Sequence, residues 1–168
     1  MTTTISAIDV PLHSEIARRL AGAYYYDAFG TVIKPTSQSA LELYLQVVAG
    51  TPAWINTLMA LRNRVVGLFG LKNLGGLGDF NAAKPAADYR VGDRVGIFTI
   101  RYLSEQEVIL GDNDKHLRVE VSVCKVQDKV AVSTVVHLHN LLGRIYMLFV
   151  APMHRLIVPA TLRNARFL

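Results

Sequence analysis

The feature that most constrains the fold is a pair of alternating runs, Lys115–Val126 and Lys129–His139, separated only by Gln127-Asp128. If those two residues form the turn, Val126 faces Lys129. Leu117 then lies opposite Leu138, Val119 opposite Val136, Val121 opposite Thr134 and Val123 opposite Val132. One face is almost wholly apolar, as a sheet face against a core must be, and a slip of one residue would turn that whole set to solvent. The opposite face pairs His116 with His139, Arg118 with His137 and Ser122 with Ser133.

Strands at about Arg94–Leu103 and Gln106–Gly111 precede this hairpin, and two registers fit them. A two-residue turn at Asn113-Asp114 puts Thr99, Arg101, Leu103, Val108 and Leu110 on the apolar face. A three-residue loop from Asp112 to Asp114 puts Phe98, Ile100, Tyr102, Glu107 and Ile109 there instead. After the hairpin, Leu141 to Asn164 reads as one long helix with Leu142, Tyr146, Phe149, Met153, Leu156 and Ala160 along one side. Pro152 and Pro159 fall on the same face of it, so any bends they make share a direction.

Upstream, residues 1–11 are expected to be loose, and Leu12, Ile16 and Leu20 mark a short amphipathic helix. Tyr24 through Ile33, rich in aromatic and β-branched residues, predicts a strand that Lys34-Pro35 ends. Ser39 with Glu42 has capping-box spacing and opens a helix with the stripe Leu41, Leu45 and Val48, stopped by Gly50. Thr51-Pro52 starts a second helix, expected to carry Trp54, Leu58, Leu61, Val65 and Leu68 inward, with Gly70 as its C-cap. Residues 71–90, with Gly75, Gly76, Gly78 and Pro85, read as a long loop. The organisation expected is a single domain over 1–168.

Composition narrows the function classes. Hydrophobic residues make up 51% of the chain and charged ones 18%, which describes a folded protein with a sparsely charged surface. The net charge of +5 is spread along the chain without a basic block, so nucleic acid is not the expected partner. Cys124 is the sole cysteine, which leaves no disulfide framework and no cysteine-based metal site. The apolar run Ile145–Met153 is shorter than the roughly 20 residues that span a bilayer, and the N-terminus has no signal-like core. A cytoplasmic protein is expected, with weak peripheral membrane contact conceivable through the tail Arg163–Leu168.

The order strand, two helices, meander, long C-terminal helix resembles the helix-grip superfamily of START domains, Bet v 1-like proteins and polyketide cyclases. More closely, the chain resembles an uncharacterised bacterial family of unknown function, found alone or fused after epimerase-like domains. That resemblance rests on Tyr26-Asp27-Ala28-Phe29, Pro52-Ala53-Trp54 and Leu61-Arg62-Asn63-Arg64. It rests also on Lys115-His116-Leu117, Ser133-Thr134-Val135-Val136, Asn140–Tyr146 and Pro152-Met153-His154-Arg155. It implies an α+β, helix-grip-like fold: a curved antiparallel sheet of about five to six strands wrapped around a long kinked C-terminal helix, with two shorter helices after the first strand. It carries no catalytic assignment, and it implies an epimerase-like protein as one conceivable partner.

The expected function is binding of a small apolar or amphipathic molecule between sheet and C-terminal helix, with no cofactor. Tyr26, Asp27, Trp54, Arg101, Tyr146, Phe149 and Met153 are the candidate ligand contacts, against the plainer reading of aromatic and Met stripes as core. His116, Arg118, His137 and His139 form a candidate polar strand patch, not expected to hold a metal, because a flat strand face rarely converges three imidazoles and Arg118 repels a cation. A cyclase- or hydratase-like enzyme using Asp27 or Tyr26 is the alternative. Cys124 and Ser133 have no base at motif spacing.

Overall fold

The computed structural model describes residues 4–67 and 75–167 and shows an α+β fold, one antiparallel sheet with three α-helices. The strands are β1 (Ile5–Ala7), β2 (Tyr25–Val32), β3 (Arg94–Val95), β4 (Phe98–Leu103), β5 (Glu107–Asn113), β6 (Leu117–Val126) and β7 (Lys129–Leu138). The helices are α1 (Ala40–Ala49), α2 (Ala53–Gly67) and α3 (Leu141–Asn164). The sheet order is β1-β2-β7-β6-β5-β4-β3, so β2, early in the chain, pairs with β7, the last strand.

The β6–β7 hairpin has the register read from the sequence, from Leu117↔Leu138 through Val123↔Val132 to Val126↔Lys129. Gln127 takes a φ of 55°, the left-handed conformation that a two-residue hairpin turn demands of its first residue. The sheet has seven strands rather than five to six. One arises where the sequence reading placed none, and another by division of a strand that it placed whole. Residues 5–7, expected to be loose, add β1 to the edge of β2 through Ile5↔Thr31 and Ala7↔Phe29. The run Arg94–Leu103 breaks at Gly96, whose φ of 59° folds it into the two-stranded ribbon β3–β4.

Neither register offered for the first two meander strands is the observed one. The β5–β6 turn is Lys115-His116, where the Asp114 carboxylate accepts from the backbone N–H groups of His116 and Leu117. This turn keeps Val108 and Leu110 on the apolar face, paired to Val123 and Val121. Along β4 the register then shifts between Ile100 and Tyr102. That bulge places both Ile100 and Leu103 on the apolar face and leaves Arg101 exposed, so each proposed set is half right.

Three segments cover the two faces of the sheet. On one, α1 buries Leu41, Leu43, Tyr44, Val47 and Val48 against Val108, Leu110, Val123 and Val130. The capping box is present: the Ser39 N–H donates to Glu42 Oε2 at 2.7 Å and the Glu42 N–H to Ser39 Oγ at 3.3 Å. The C-terminal half of α3 closes the same core with Val158 and Leu162. On the other face a single 3-10 turn, Ile16–Arg19, stands where a helix over 12–21 was expected. It seals a small cluster of Val10, Ile16, Ala28, Ile109 and Val135. Its N–H groups at Glu15 and Ile16 are taken by the buried Glu107 carboxylate, at 2.5 and 3.1 Å, which also accepts from Ser122 Oγ at 2.6 Å.

Both stripes assigned to the later helices are out of phase. Among the described side chains of α2 only Ile55 is fully buried, whereas Trp54, Leu61 and Val65 are 44%, 57% and 47% exposed. Leu68, Gly70 and the start of the loop expected over 71–90 lie outside the described residues. On α3 the buried positions are Gly143, Met147, Val158, Thr161 and Leu162, and the expected inward residues Phe149 and Leu156 are exposed. Both helices are apolar on more than one side, and periodicity cannot then say which side is covered. Pro152 and Pro159 sit inside one continuous helix, removing the intrahelical donors to the carbonyls of Leu148 and Arg155.

The N-terminal turn of α3 docks by close backbone approach. Asn140 caps it, accepting from the Gly143 N–H at 3.0 Å, and a Cβ on Gly143 would run into the His116 carbonyl. On an open helix Gly→Ala gains about 1 kcal/mol; here we expect Gly143→Ala to cost about 2 kcal/mol through forced displacement of α3 from the hairpin. Urea unfolding checks the sign, and a gain in stability would show the approach is not tight.

Candidate functional site

The polar residues that converge lie where α3 crosses β2. Strand alternation and the β2–β7 register, with Asp27 opposite Thr134, place Tyr25, Asp27 and Thr134 on the helix-covered face. Tyr26 and Ala28 consequently point to the other face. From α3, His154 reaches down onto this patch. Its Nδ1 lies 3.0 Å from Asp27 Oδ2, and its Nε2 lies 3.3 Å from Thr134 Oγ1. The Tyr25 hydroxyl donates to the same Asp27 Oδ2 at 2.5 Å, and its ring meets the imidazole edge-on, centroids 6.0 Å apart.

For a neutral His154 the donor inventory sets the tautomer. An ionised Asp27 only accepts, so the imidazole places its proton on Nδ1, leaving Nε2 to accept from the Thr134 hydroxyl. The phenol also keeps its proton: burial and the Asp27 carboxylate push the Tyr25 pKa up to about 12, against a smaller downward pull from Arg155. Arg155 lies over the Tyr25 ring, its guanidinium carbon 5.9 Å from the centroid. Asp27 and His154 are both largely buried, and Asp27 Oδ1 has no partner among the described residues.

This cluster borders an opening. Beyond Ile8, whose N–H still donates to the Ala28 carbonyl at 3.0 Å, the chain no longer pairs with β2, and a cavity of about 420 Å³ lies along the uncovered edge. Ile8, Val10, Ala28 and Phe29 give it apolar walls, with Tyr26, Asp27 and Arg155 as polar groups. A second cavity of about 470 Å³, lined by Asp79, Asn81, Lys84 and Asp93 among others, lies among the connecting loops and is polar. There Lys84 bridges Asp93 at 2.8 Å and, with the Arg90 backbone N–H, holds that carboxyl below its ordinary range.

The residues singled out from the sequence are dispersed. Tyr26 and Asp27 share the β2 cavity. Met153 is half-buried on α3; Tyr146 accepts a hydrogen bond from Arg62 Nε at 3.0 Å, under that guanidinium. Trp54 and Phe149 are exposed on the outer sides of their helices, and Arg101 is exposed at the bulge of β4. The polar strand patch does form a chain on the 3-10 face: Arg19 pairs with Glu120, Arg118 approaches Glu120 at 3.6 Å, and Arg118 approaches His137 Nδ1 at 3.3 Å. Its imidazoles do not converge. His137 turns to the Ala21 carbonyl, His139 to Asn113, and His116 to Asn140 at the α3 cap.

Tyr25, Thr134, Arg155 and His154 escaped the sequence reading as site residues. His154 lies in a segment already noted for resemblance, and only the misplaced phase of α3 hid that it faces inward. Tyr25 was passed over for its neighbour, since a run of three tyrosines does not show which alternate faces the helix. Cys124 is a packed side chain rather than a nucleophile: burial and the nearby Glu107 carboxylate push its thiol up to about 11.

Comparison with known proteins places the chain in one family: it belongs to the family described as "Protein of unknown function (DUF2867)", whose model matches residues 19–161. Those bounds take in β2 through nearly all of α3, hence the whole Tyr25–Asp27–Thr134–His154 cluster. No curated protein and no solved structure matches.

Two expectations follow from the cluster. Asp27→Asn and His154→Gln should each destabilise the fold by about 1–3 kcal/mol, and the double variant by less than their sum, with a coupling of about 1 kcal/mol in a urea double-mutant cycle. Additive losses would show that the two side chains do not interact. The raised phenol makes the folded state the stronger proton binder above pH 10, so Tyr25's contribution is intact below that pH and is lost as pH rises toward about 12. Ultraviolet titration of Asp27→Asn should then show one tyrosine ionising earlier than in the parent chain.

Proposed function

We propose that the protein binds a small amphipathic molecule in the cavity between the open edge of β2 and α3. The observation that carries this reading is the cavity itself. At about 420 Å³ it falls within the roughly 300–1,000 Å³ of small-molecule sites, and it joins apolar walls to a few convergent polar groups, as such sites do. The apolar part of the ligand lies against Ile8, Val10 and Phe29. Its polar end meets Arg155 and Tyr26, beside Asp27. The resemblance of the element order to the helix-grip superfamily supports the same placement, a ligand held between sheet and C-terminal helix. It does so by analogy of fold, which suggests a site without assigning a chemistry.

A second reading rests on the His154–Asp27 hydrogen bond. A carboxylate on Nδ1 orients an imidazole as it does in acid–base sites, and Asp27 of that pair borders the cavity, which favours a cyclase- or hydratase-like proton transfer there as the alternative. In that reading the Thr134 hydroxyl, almost wholly buried, holds the imidazole and does not attack a substrate. The two readings part on one result: in the enzyme, His154→Gln abolishes turnover while ligand affinity persists.

The amphipathic fluorophore 1-anilinonaphthalene-8-sulfonate serves as probe. We expect it to bind the native chain with saturable fluorescence enhancement. Ala7→Trp, which fills the cavity from an exposed position, should weaken it at least about tenfold, or 1.4 kcal/mol. Saturable binding that survives Ala7→Trp unchanged, in a variant with parental circular dichroism, would place the probe elsewhere and remove the proposal.

A further inference from the structure

The outer sides of α2 and α3 carry a surface that the ligand cavity does not use. On α3, Leu141, Ile145, Leu148, Phe149 and Leu156 fall on one side and stand exposed, Phe149 at 73% and Leu148 at 64%. On α2, Trp54, Leu61 and Val65 do the same. Arg62 of α2 hydrogen-bonds Tyr146 of α3 at 3.0 Å, and this side-chain contact links the two helices. Leu58 and Leu61 neighbour Arg62 on one helix and Phe149 neighbours Tyr146 on the other, so each apolar stripe runs beside that link. Single exposed hydrophobes need no explanation, but a contiguous set of this kind marks a contact surface.

The charge pattern identifies what fits it. All thirteen acidic residues of the chain lie outside α2 and α3, whereas Arg64, Arg144 and Arg163 of these helices are exposed beside the apolar stripes. Arg144 lies over the exposed Tyr24 ring at 5.6 Å, adding an aromatic group that suits a polar–apolar boundary. A second copy of the chain is a poor occupant. An isologous contact would set arginines against arginines with no carboxylate on either helix to neutralise them. An anionic lipid surface meets both demands, with acyl boundary for the apolar stripes and headgroup charge for the arginines.

We propose that α2 and α3 together form an interfacial docking surface for anionic membranes. By length and composition alone α3 could cross a bilayer, but its inner side is committed to the sheet through His154, Val158 and Leu162. The helix therefore lies in the membrane plane with its outer side immersed. This surface replaces the C-terminal tail as the point of contact, since Phe167 packs back on the core.

The sole tryptophan, Trp54, sits on this surface and makes its own emission the readout. With the full chain, vesicles containing phosphatidylserine should sediment the protein and shift Trp54 emission to the blue, and pure phosphatidylcholine should bind it far more weakly. Added salt should reverse the binding. Leu148→Glu/Phe149→Glu, at exposed positions, should weaken it at least about tenfold while circular dichroism stays parental. Arg64→Gln/Arg144→Gln should weaken it about fivefold per arginine. Three outcomes overturn the proposal. These are no binding to anionic vesicles at low salt, binding that Leu148→Glu/Phe149→Glu leaves intact, or light scattering that shows a dimer dissolved by that variant in a chain that ignores vesicles.

Discussion

The β2–β7 ladder is the contact on which the rest of the structure depends. It runs without interruption from Tyr25↔Val136 to Val32↔Lys129 and joins an early strand to the last one, across the whole helical insertion and the meander. Without it the meander would be a sheet with an exposed long edge and the helices would have no common floor. With it, β7 is buried between β2 and β6, and seven of its residues in a row, Val130 to Val136, are almost fully inaccessible. The closure entropy of so long a loop is offset by a ladder in which each hydrogen-bonded pair also brings apolar side chains together on both faces.

The same ladder makes the polar cluster. Pairing Asp27 with Thr134 brings a carboxylate and a hydroxyl together on the face that α3 covers, and β7 leads directly into α3 through Asn140. The helix therefore begins at a fixed point, held by Asn140 and by the backbone approach at Gly143. His154, three turns on, is delivered over the patch that β2 and β7 have assembled. Distance between residues 27 and 154 along the chain is thus no measure of their independence, because one register sets both.

How much of this was legible in the sequence depended on whether a pattern had one solution. The β6–β7 hairpin did: only one register puts Leu117, Val119, Val121 and Val123 on one side with Leu138, Val136 and Val132. The Ser39–Glu42 box and the stop at Gly50 were legible for the same reason, since they are local and chemically specific. The β4–β5 pair had two solutions, and a bulge at Arg101 took half of each, a choice that alternation cannot express. For α2 and α3 the assumption that the apolar side faces inward failed outright. Both helices are apolar on a covered side and on an exposed one, so Trp54 and Phe149 were read as lining when they are surface. Asp27 was found because an acid inside an aromatic strand is conspicuous. Its partners Tyr25 and His154 were not, because finding them needs strand phase and helix phase together.

The energetics of the cluster argue that it is there for more than cohesion. Elsewhere the core of the α-helical side of the sheet is apolar, with Leu110, Val123, Val130 and Leu162 wholly buried against α1 and one another, and its polar ties, such as Lys125 to the Gln38 carbonyl and Asn140 to the Lys115 carbonyl, lie at the ends of the helices. A similar apolar set at positions 25, 27, 134 and 154 would fasten α3 to β2 at least as well. Burying a carboxylate and an imidazole carries a desolvation cost that well-packed hydrophobes avoid. The cluster retains that cost and leaves Asp27 Oδ1 without a partner among the described residues. It does so at the one place where β1 leaves the edge of β2 and the sheet opens. Polar groups are most expensive where they are half-satisfied, and here that cost is kept at the border of an opening rather than in the middle of the core.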